Sequence, residues 1–355
     1  MQPVWRSNSR ARLEEIVLVS IAPKLLVILS FLLLGGSLVR MISAWDANIY
    51  LRIAQGWYND PHDPNLYVFG PLYPTLIRLL GGFWAAFLIA NIFAVACVCL
   101  LYKISNMPTA LLFATFPTFL VFGTSAYADP IMVFFLILGY WLYTKEKYWP
   151  MAIALALAAV TKYTALFAIP LFIVFVAHRK KRNLKAYLPF LVPICATVGI
   201  MFWQWKVASD PLAFIHLQAA WGATGLVDPI TQANWILTGW FTNSPAVLSN
   251  SRPWEWLVRN YIFQLPMVAL LILAAKRGKW ELSVMGLTFT VLTLTTIGMP
   301  AISTPRLLLP GVWPLLVAYK EEITTHKTAA VVLAVMFTCV GLYWLLEHSR
   351  GAFIA

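Results

Sequence analysis

The chain has 355 residues, with 26 Lys+Arg against 14 Asp+Glu, a formal net charge of +12, 61% hydrophobic residues and 11% charged ones. Ordinary soluble proteins are about 45–50% apolar and about 25% charged, so this chain has too few charges to cover a water-facing globule and too much apolar surface to stay disordered. The class that remains is all-α and polytopic: a single transmembrane helical bundle over 1–355, with helices also lying at the interface in its long loops.

The opening stretch, MQPVWRSNSRARLEE, is basic, and no small-residue cleavage site follows the first apolar run. That run reads as a retained helix and not as a removed signal peptide. Eleven apolar segments follow the pattern of spanning helices, near 20–40, 83–102, 107–123, 129–144, 148–160, 164–178, 186–205, 255–275, 280–299, 305–319 and 327–347. Cys97, Cys99, Cys195 and Cys339 all sit in such runs and form neither a disulfide framework nor a zinc motif. The Lys and Arg residues punctuate these segments and gather in no single domain, which argues against nucleic acid as a partner.

With the N-terminus in the cytoplasm, seventeen basic residues fall inside, Lys24 among them, and nine outside; six acidic residues fall inside and eight outside. The asymmetry favours this orientation and a multi-pass place in the cell membrane, or in the endoplasmic reticulum membrane of a eukaryote. Basic runs such as HRKKRNLK (178–185) then serve as topological anchors. The outer face is nearly neutral and owns the two long loops, 41–82 and 206–254. Long loops are usually functional, so chemistry is expected on the outer side.

In the first loop, WDANIYLRIAQGWY (45–58) carries Ile49, Ile53 and Trp57 at helical spacing, which predicts a short interfacial helix. Asp46 stands just past the first spanning helix, between Trp45 and the pair Tyr50 and Arg52. A carboxylate at a membrane boundary is costly without a partner or a role, and an N-cap is the plainer alternative. The segment YNDPHDPN (58–65) holds Asp60, His62 and Asp63, and its Pro and Asn content fits a turn better than a metal site. Residues 69–80, FGPLYPTLIRLL, predict an interfacial or re-entrant piece that includes Tyr73.

Asp129, ahead of Pro130 in TSAYADPIMVFF, opens the fourth spanning segment and also suits an N-cap. Lys162 lies in the brief gap between the fifth and sixth segments, where the alternative is a snorkelling side chain. The stretch DPLAFIHLQAAWG (210–222) predicts a second interfacial helix with His216, Gln218 and Trp221; Trp221 fits either sugar stacking or an interfacial aromatic belt. Arg306, in STPRLLLPG, starts the tenth segment from the outer side. Two carboxylates and two cations from separate helices thus meet one boundary. Arg grips phosphate through a planar donor fork and Lys as a point charge, so the set suits an anionic lipid head with a hydroxyl acceptor. No nucleotide-binding loop, metal pair or nucleophile elbow is present in the sequence.

WDANIYLRIAQGWY, FGPLYPTLIRLLG, DPLAFIHLQAAWG and TPRLLLPGVWPLL resemble the GT-C superfamily of polytopic glycosyltransferases, and within it the PIG-V type, the family of the second mannosyltransferase of GPI-anchor synthesis and its prokaryotic relatives. ADPIMVFFLILGYWLY and ALALAAVTKYTALFAIPLF resemble the wider superfamily, which includes the dolichyl-phosphate-mannose-dependent protein mannosyltransferases. The likeness covers roughly 40–320. The chain departs from the family pattern at Ile49, where a His is frequent, at Gly70, where a Phe is usual, and at Ala128–Asp129, where Ser–Glu is common.

The resemblance implies a polyprenyl- or dolichyl-phosphate sugar donor, mannose foremost, and a glycolipid, glycan or protein acceptor on the outer side, among membrane lipids. It implies Asp46 as catalytic base, Asp129 as the second catalytic acid, and Lys162 and Arg306 at the donor phosphate. Trp45, Tyr50, Arg52, Tyr73, His216, Gln218 and Trp221 are candidate substrate contacts. No cofactor is required; a divalent metal is compatible with the reaction but has no assigned ligands. A lipid or small-solute transporter is the alternative reading, disfavoured because no internal repeat is visible. A non-catalytic partner subunit is a third.

Overall fold

The computed structural model describes residues 9–59, 63–180, 183–217, 253–295 and 304–351, and among these residues all regular structure is helical. The helices are α1 (Ser9–Leu33), α2 (Leu38–Ser43), α3 (Asp46–Gly56), α4 (Leu72–Leu80), α5 (Phe83–Ile104), α6 (Met107–Thr115), α7 (Pro117–Thr124), α8 (Asp129–Thr144), α9 (Tyr148–Thr161), α10 (Ala168–Lys180), α11 (Leu191–Ala208) and α12 (Ala213–His216). After 253 come α13 (Pro253–Lys276), α14 (Trp280–Thr295), α15 (Thr304–Leu307), α16 (Leu309–Ala318), α17 (Lys320–Thr325) and α18 (Lys327–Ser349). Short 3-10 turns at Pro64–Val68, Tyr163–Phe167, Leu184–Ala186 and Leu188–Phe190 join some of them.

Among the described residues, five helical stretches are long and apolar enough to cross a membrane: Glu14–Leu33, Phe83–Ile104, Tyr163–Lys180, Leu184–Ala208 and Lys327–Ser349. The other apolar segments read from the sequence are helical where described: 129–144 and 148–160 form shorter helices, 107–123 and 305–319 are broken, 255–275 lies within the long helix α13, and 280–299 is helical as far as Thr295. The 107–123 segment is not one rod: it bends by 66° between α6 and α7. Pro117 explains the break, because its ring has no N–H to donate and forces the residue before it out of the helical region; Phe116 is extended, at φ −55° and ψ 127°. The 305–319 segment is likewise split, into α15 and α16, with Pro310 in the first turn of the second piece.

Among the described residues, two large apolar clusters hold most of the bundle. One joins α5, α6, α8, α9, α10, α14 and α16 around Phe113, Leu136, Phe172 and Trp313. Here Gly139 of α8 gives Leu155 of α9 room for contact at 3.3 Å from where a β-carbon would sit, the small-residue packing by which membrane helices approach closely. The other cluster joins α1 to α5, α7 and the end of α18, around Phe31, Tyr50, Tyr73 and Trp344. The helices of the first long loop are therefore packed elements: α3 buries Ala47, Tyr50, Ile53 and Ala54. Around the outside, Leu18, Leu25, Leu29, Leu88, Ile92, Val335 and Met336 are exposed. Such an apolar exterior fits hydrocarbon and not water.

Lys24 does not sit at the inner end of α1, where its counting as a topological anchor would put it. It lies within the apolar stretch, is buried, and donates from Nζ to the Gly123 carbonyl at 2.5 Å and to Asn91 Oδ1 at 2.9 Å. The last carbonyls of any helix lack intrahelical donors, and Lys24 supplies one to the end of α7.

Candidate functional site

The bend at Pro117 and the shortness of α7 bring the chain quickly to the turn 125–128. That turn is pinned to the end of α2: the Ala126 N–H donates to the Ile42 carbonyl at 3.1 Å, and the Tyr127 hydroxyl to the Ala44 carbonyl at 3.3 Å. Asp46 and Asp129, each the first residue of its helix, are thus held close together. Trp45, ahead of Asp46, has φ 54° and ψ −124°. A bulky residue at positive φ costs of order 1–3 kcal/mol, and such strain clusters at functional sites.

Neither carboxylate caps its helix. Asp46 Oδ2 accepts from Arg306 Nη1 at 2.5 Å. Asp129 Oδ2 accepts from Arg306 Nε at 3.0 Å and lies 2.9 Å from Nη2, while Asp129 Oδ1 accepts from Lys162 Nζ at 2.6 Å. The capping readings of the two acids give way for one reason: a helix N–H offers less to a buried carboxylate than a formal cation does. Lys162 does not snorkel either. Its residue is extended (φ −152°, ψ 123°) between α9 and the following 3-10 turn, which aims the side chain inward.

The result is an alternating row, Asp46–Arg306–Asp129–Lys162, with no net formal charge. Its middle is closed and its ends are open: side-chain exposure is 18% at Asp46 and 16% at Lys162, against 8% at Arg306 and 1% at Asp129. Burial pushes the Lys162 ammonium below the ordinary lysine range, and the like charge of Arg306 adds to this, with Asp129 opposing. A ligand can reach the two end groups. The inner pair, Arg306 and Asp129, links them.

Aromatic rings wall the row. The guanidinium carbon of Arg306 lies 4.6 Å from the Tyr127 ring centroid and 5.3 Å from that of Phe122, a cation–π seat. Tyr50 is buried beside the row, and burial raises its phenol well above the usual range while Arg306 opposes that rise. The imidazole of His348, near the end of α18, packs on both Phe122 and Tyr127, at 6.0 and 5.8 Å. It is buried, and among the described residues neither ring nitrogen has a hydrogen-bond partner. The sequence reading missed Tyr127, Phe122 and His348. Tyr127, two residues before an acid at a helix start, and His348, a polar residue ending an apolar helix, were the available signals.

Other expected contacts fall elsewhere. Arg52 pairs with Asp63 at 3.2 Å, both partly exposed, and is not in the row. Tyr73 is buried, and its hydroxyl goes to the Ala86 carbonyl at 2.8 Å, tying α4 to α5. The His216 ring meets Asp210 at 2.7 Å on the surface. Asp60, His62, Gln218 and Trp221 lie outside the described residues. Among the described residues no three His, Cys, Asp or Glu side chains group to hold a metal. Gly70 has a local explanation: a β-carbon there would collide with the carbonyls of Val160 and Thr161, just before Lys162. The loop lies against the end of α9, which leaves no room for a side chain. A comparison with family models gives no match, and none of the curated proteins matches the chain.

Proposed function

We propose that the chain is a multi-pass membrane glycosyltransferase with a GT-C-like arrangement of about eleven crossings. In this reading it moves a sugar, mannose foremost, from a polyprenyl- or dolichyl-phosphate carrier to an acceptor hydroxyl at the outer face. One observation carries the reading: two acids and two cations, distant in sequence, form a single buried row with accessible ends. A structural brace needs no accessible ends. A site that must receive an anion and a hydroxyl does.

The carrier phosphate takes the place of Asp46 on Arg306, with the exposed side of Lys162 as its second cation, while Asp129 stays paired to both. As the bond between the anomeric carbon and the phosphate oxygen breaks, negative charge grows on the phosphate, and these cations stabilise it in a site with little water. The acceptor oxygen attacks the anomeric carbon from the opposite side, and Asp46, released from Arg306, accepts its proton. The single displacement inverts the anomeric centre. Asp129, closed off and held by both cations, keeps them in place. Trp45 and Tyr50 line the Asp46 end.

The test is transfer itself. Purified full-length protein is incubated with polyprenyl-phosphate mannose and a panel of membrane lipid extracts, and products are read by mass. A hexose added to one acceptor class, lost in Asp46→Asn, supports the proposal. Movement of the lipid carrier across vesicles, with no product, supports the transporter instead.

A further inference from the structure

At the opposite ends of α8 and α9 from the charged row lies a second polar feature. α9 is 14 residues long, or about 21 Å at 1.5 Å per residue, with Lys162 following its last residue and Tyr148 as its first. A cavity of about 360 Å³ opens there, lined by Lys147, Tyr148, Trp149, Asn183 and Lys185, with Glu146 at its edge.

Two observations make this a place for an anion. Lys147 and Lys185 line it, both exposed, and among the described residues neither has a carboxylate within ion-pair distance. The one acid at the cavity, Glu146, is already met by Lys180 at 3.0 Å. In addition α9 begins here with a lysine at its cap position and no side-chain cap bond, which leaves the Tyr148 and Trp149 N–H groups uncapped by a side chain, Pro150 having none.

What surrounds the cavity says which anion. Leu184, Leu188 and Leu191 are exposed beside it, and the same exposed face continues along α11 through Ile194, Val198 and Phe202. Trp149, also exposed, stands at the rim, as aromatic residues do at a membrane interface. An apolar strip ending in a basic cavity matches acyl chains below a charged head.

We propose that this cavity holds the phosphate head of an anionic phospholipid, on the face opposite the charged row. Lys147 and Lys185 carry the charge recognition, and the leucine strip takes the chains. Basic pockets between helices hold lipid heads in this way. The site stands apart from the proposed transfer reaction and survives if that proposal fails.

The test uses the full-length protein in neutral detergent micelles, with native mass spectrometry counting retained lipids. The probes are phosphatidylglycerol, phosphatidylcholine with the same chains, and inorganic phosphate. The expected result is one tightly retained phosphatidylglycerol, weakened at least tenfold in the Lys147→Gln/Lys185→Gln double variant, with no comparable retention of phosphatidylcholine. Both lysines are exposed, so an unchanged melting curve checks that the variant folds. Equal retention of the two lipids, or undiminished retention by the double variant, overturns the proposal. Inorganic phosphate competing at equal concentration with the lipid overturns the lipid assignment and makes this a free-anion site.

Discussion

The charged row allows a quantitative test that does not depend on knowing a substrate. Arg306 is 8% exposed at its side chain and Asp129 1%. Arg306→Gln leaves two carboxylates facing one cation, and Asp129→Asn leaves two cations facing one carboxylate. Each single variant therefore strands one uncompensated buried charge, at a cost of about 3–5 kcal/mol. Together the two substitutions leave Asp46 and Lys162, one charge of each sign, and restore balance. Independent effects would sum to about 6–10 kcal/mol; the balanced pair should lose several kcal/mol less than that sum, a coupling of at least about 2 kcal/mol. The assay is unfolding of the four proteins (wild type, two singles, double) in mixed micelles at rising SDS fraction, read by tryptophan fluorescence. A double variant whose loss equals the sum of the singles, to within about 0.5 kcal/mol, would refute the idea that the four residues act as one electrostatic unit.

Other outcomes follow from the same geometry. Asp46→Asn also leaves one cation of the row uncompensated, but at its more exposed end, so it should destabilise less than Arg306→Gln or Asp129→Asn and yet abolish glycosyl transfer; this is checked by comparing SDS unfolding with product yield from folded protein. Gly70→Ala should destabilise by about 1–3 kcal/mol, the usual cost of overpacking, because the new carbon meets the Val160 and Thr161 carbonyls and not a movable side chain; SDS unfolding of the variant measures it. Lys162 loses its proton below the ordinary lysine range, so donor affinity should fall as pH rises, before that range is reached. Lys162→Arg should remove this alkaline loss, because guanidinium does not deprotonate there, and an affinity that stays flat across that pH interval in the wild type would exclude Lys162 from the phosphate site.

Much of the site was legible because charge is rare in this chain. Each of Asp46, Asp129, Lys162 and Arg306 interrupts an apolar run, and an ion in such a setting needs a partner. Sequence could not say that they would partner one another; Pro–helix spacing made capping equally attractive for Asp129. Lys24 was misplaced for a related reason. Counting charges by segment end cannot reveal a lysine whose acceptor, the Gly123 carbonyl, lies 99 residues away. The break at Phe116 was written in the dipeptide Phe–Pro, but apolar character alone ran through it. The aromatic wall of Phe122, Tyr127 and His348 was hidden because aromatic residues are ordinary in an apolar chain, and only the fold tells which ring lies over a guanidinium.

Ion pairs across a bundle also count strands through the bilayer. Two side chains in contact share one depth, so the chain between them must complete an even number of passages. Between Asp46 and Asp129 lie α5 and the bent α6–α7; between Asp129 and Lys162, α8 and α9. If α5 crosses the membrane, the kinked pair α6–α7 has to bring the polypeptide back to the side from which α5 departed. Parity, fixed by three short contacts, constrains the topology where helix length leaves it open.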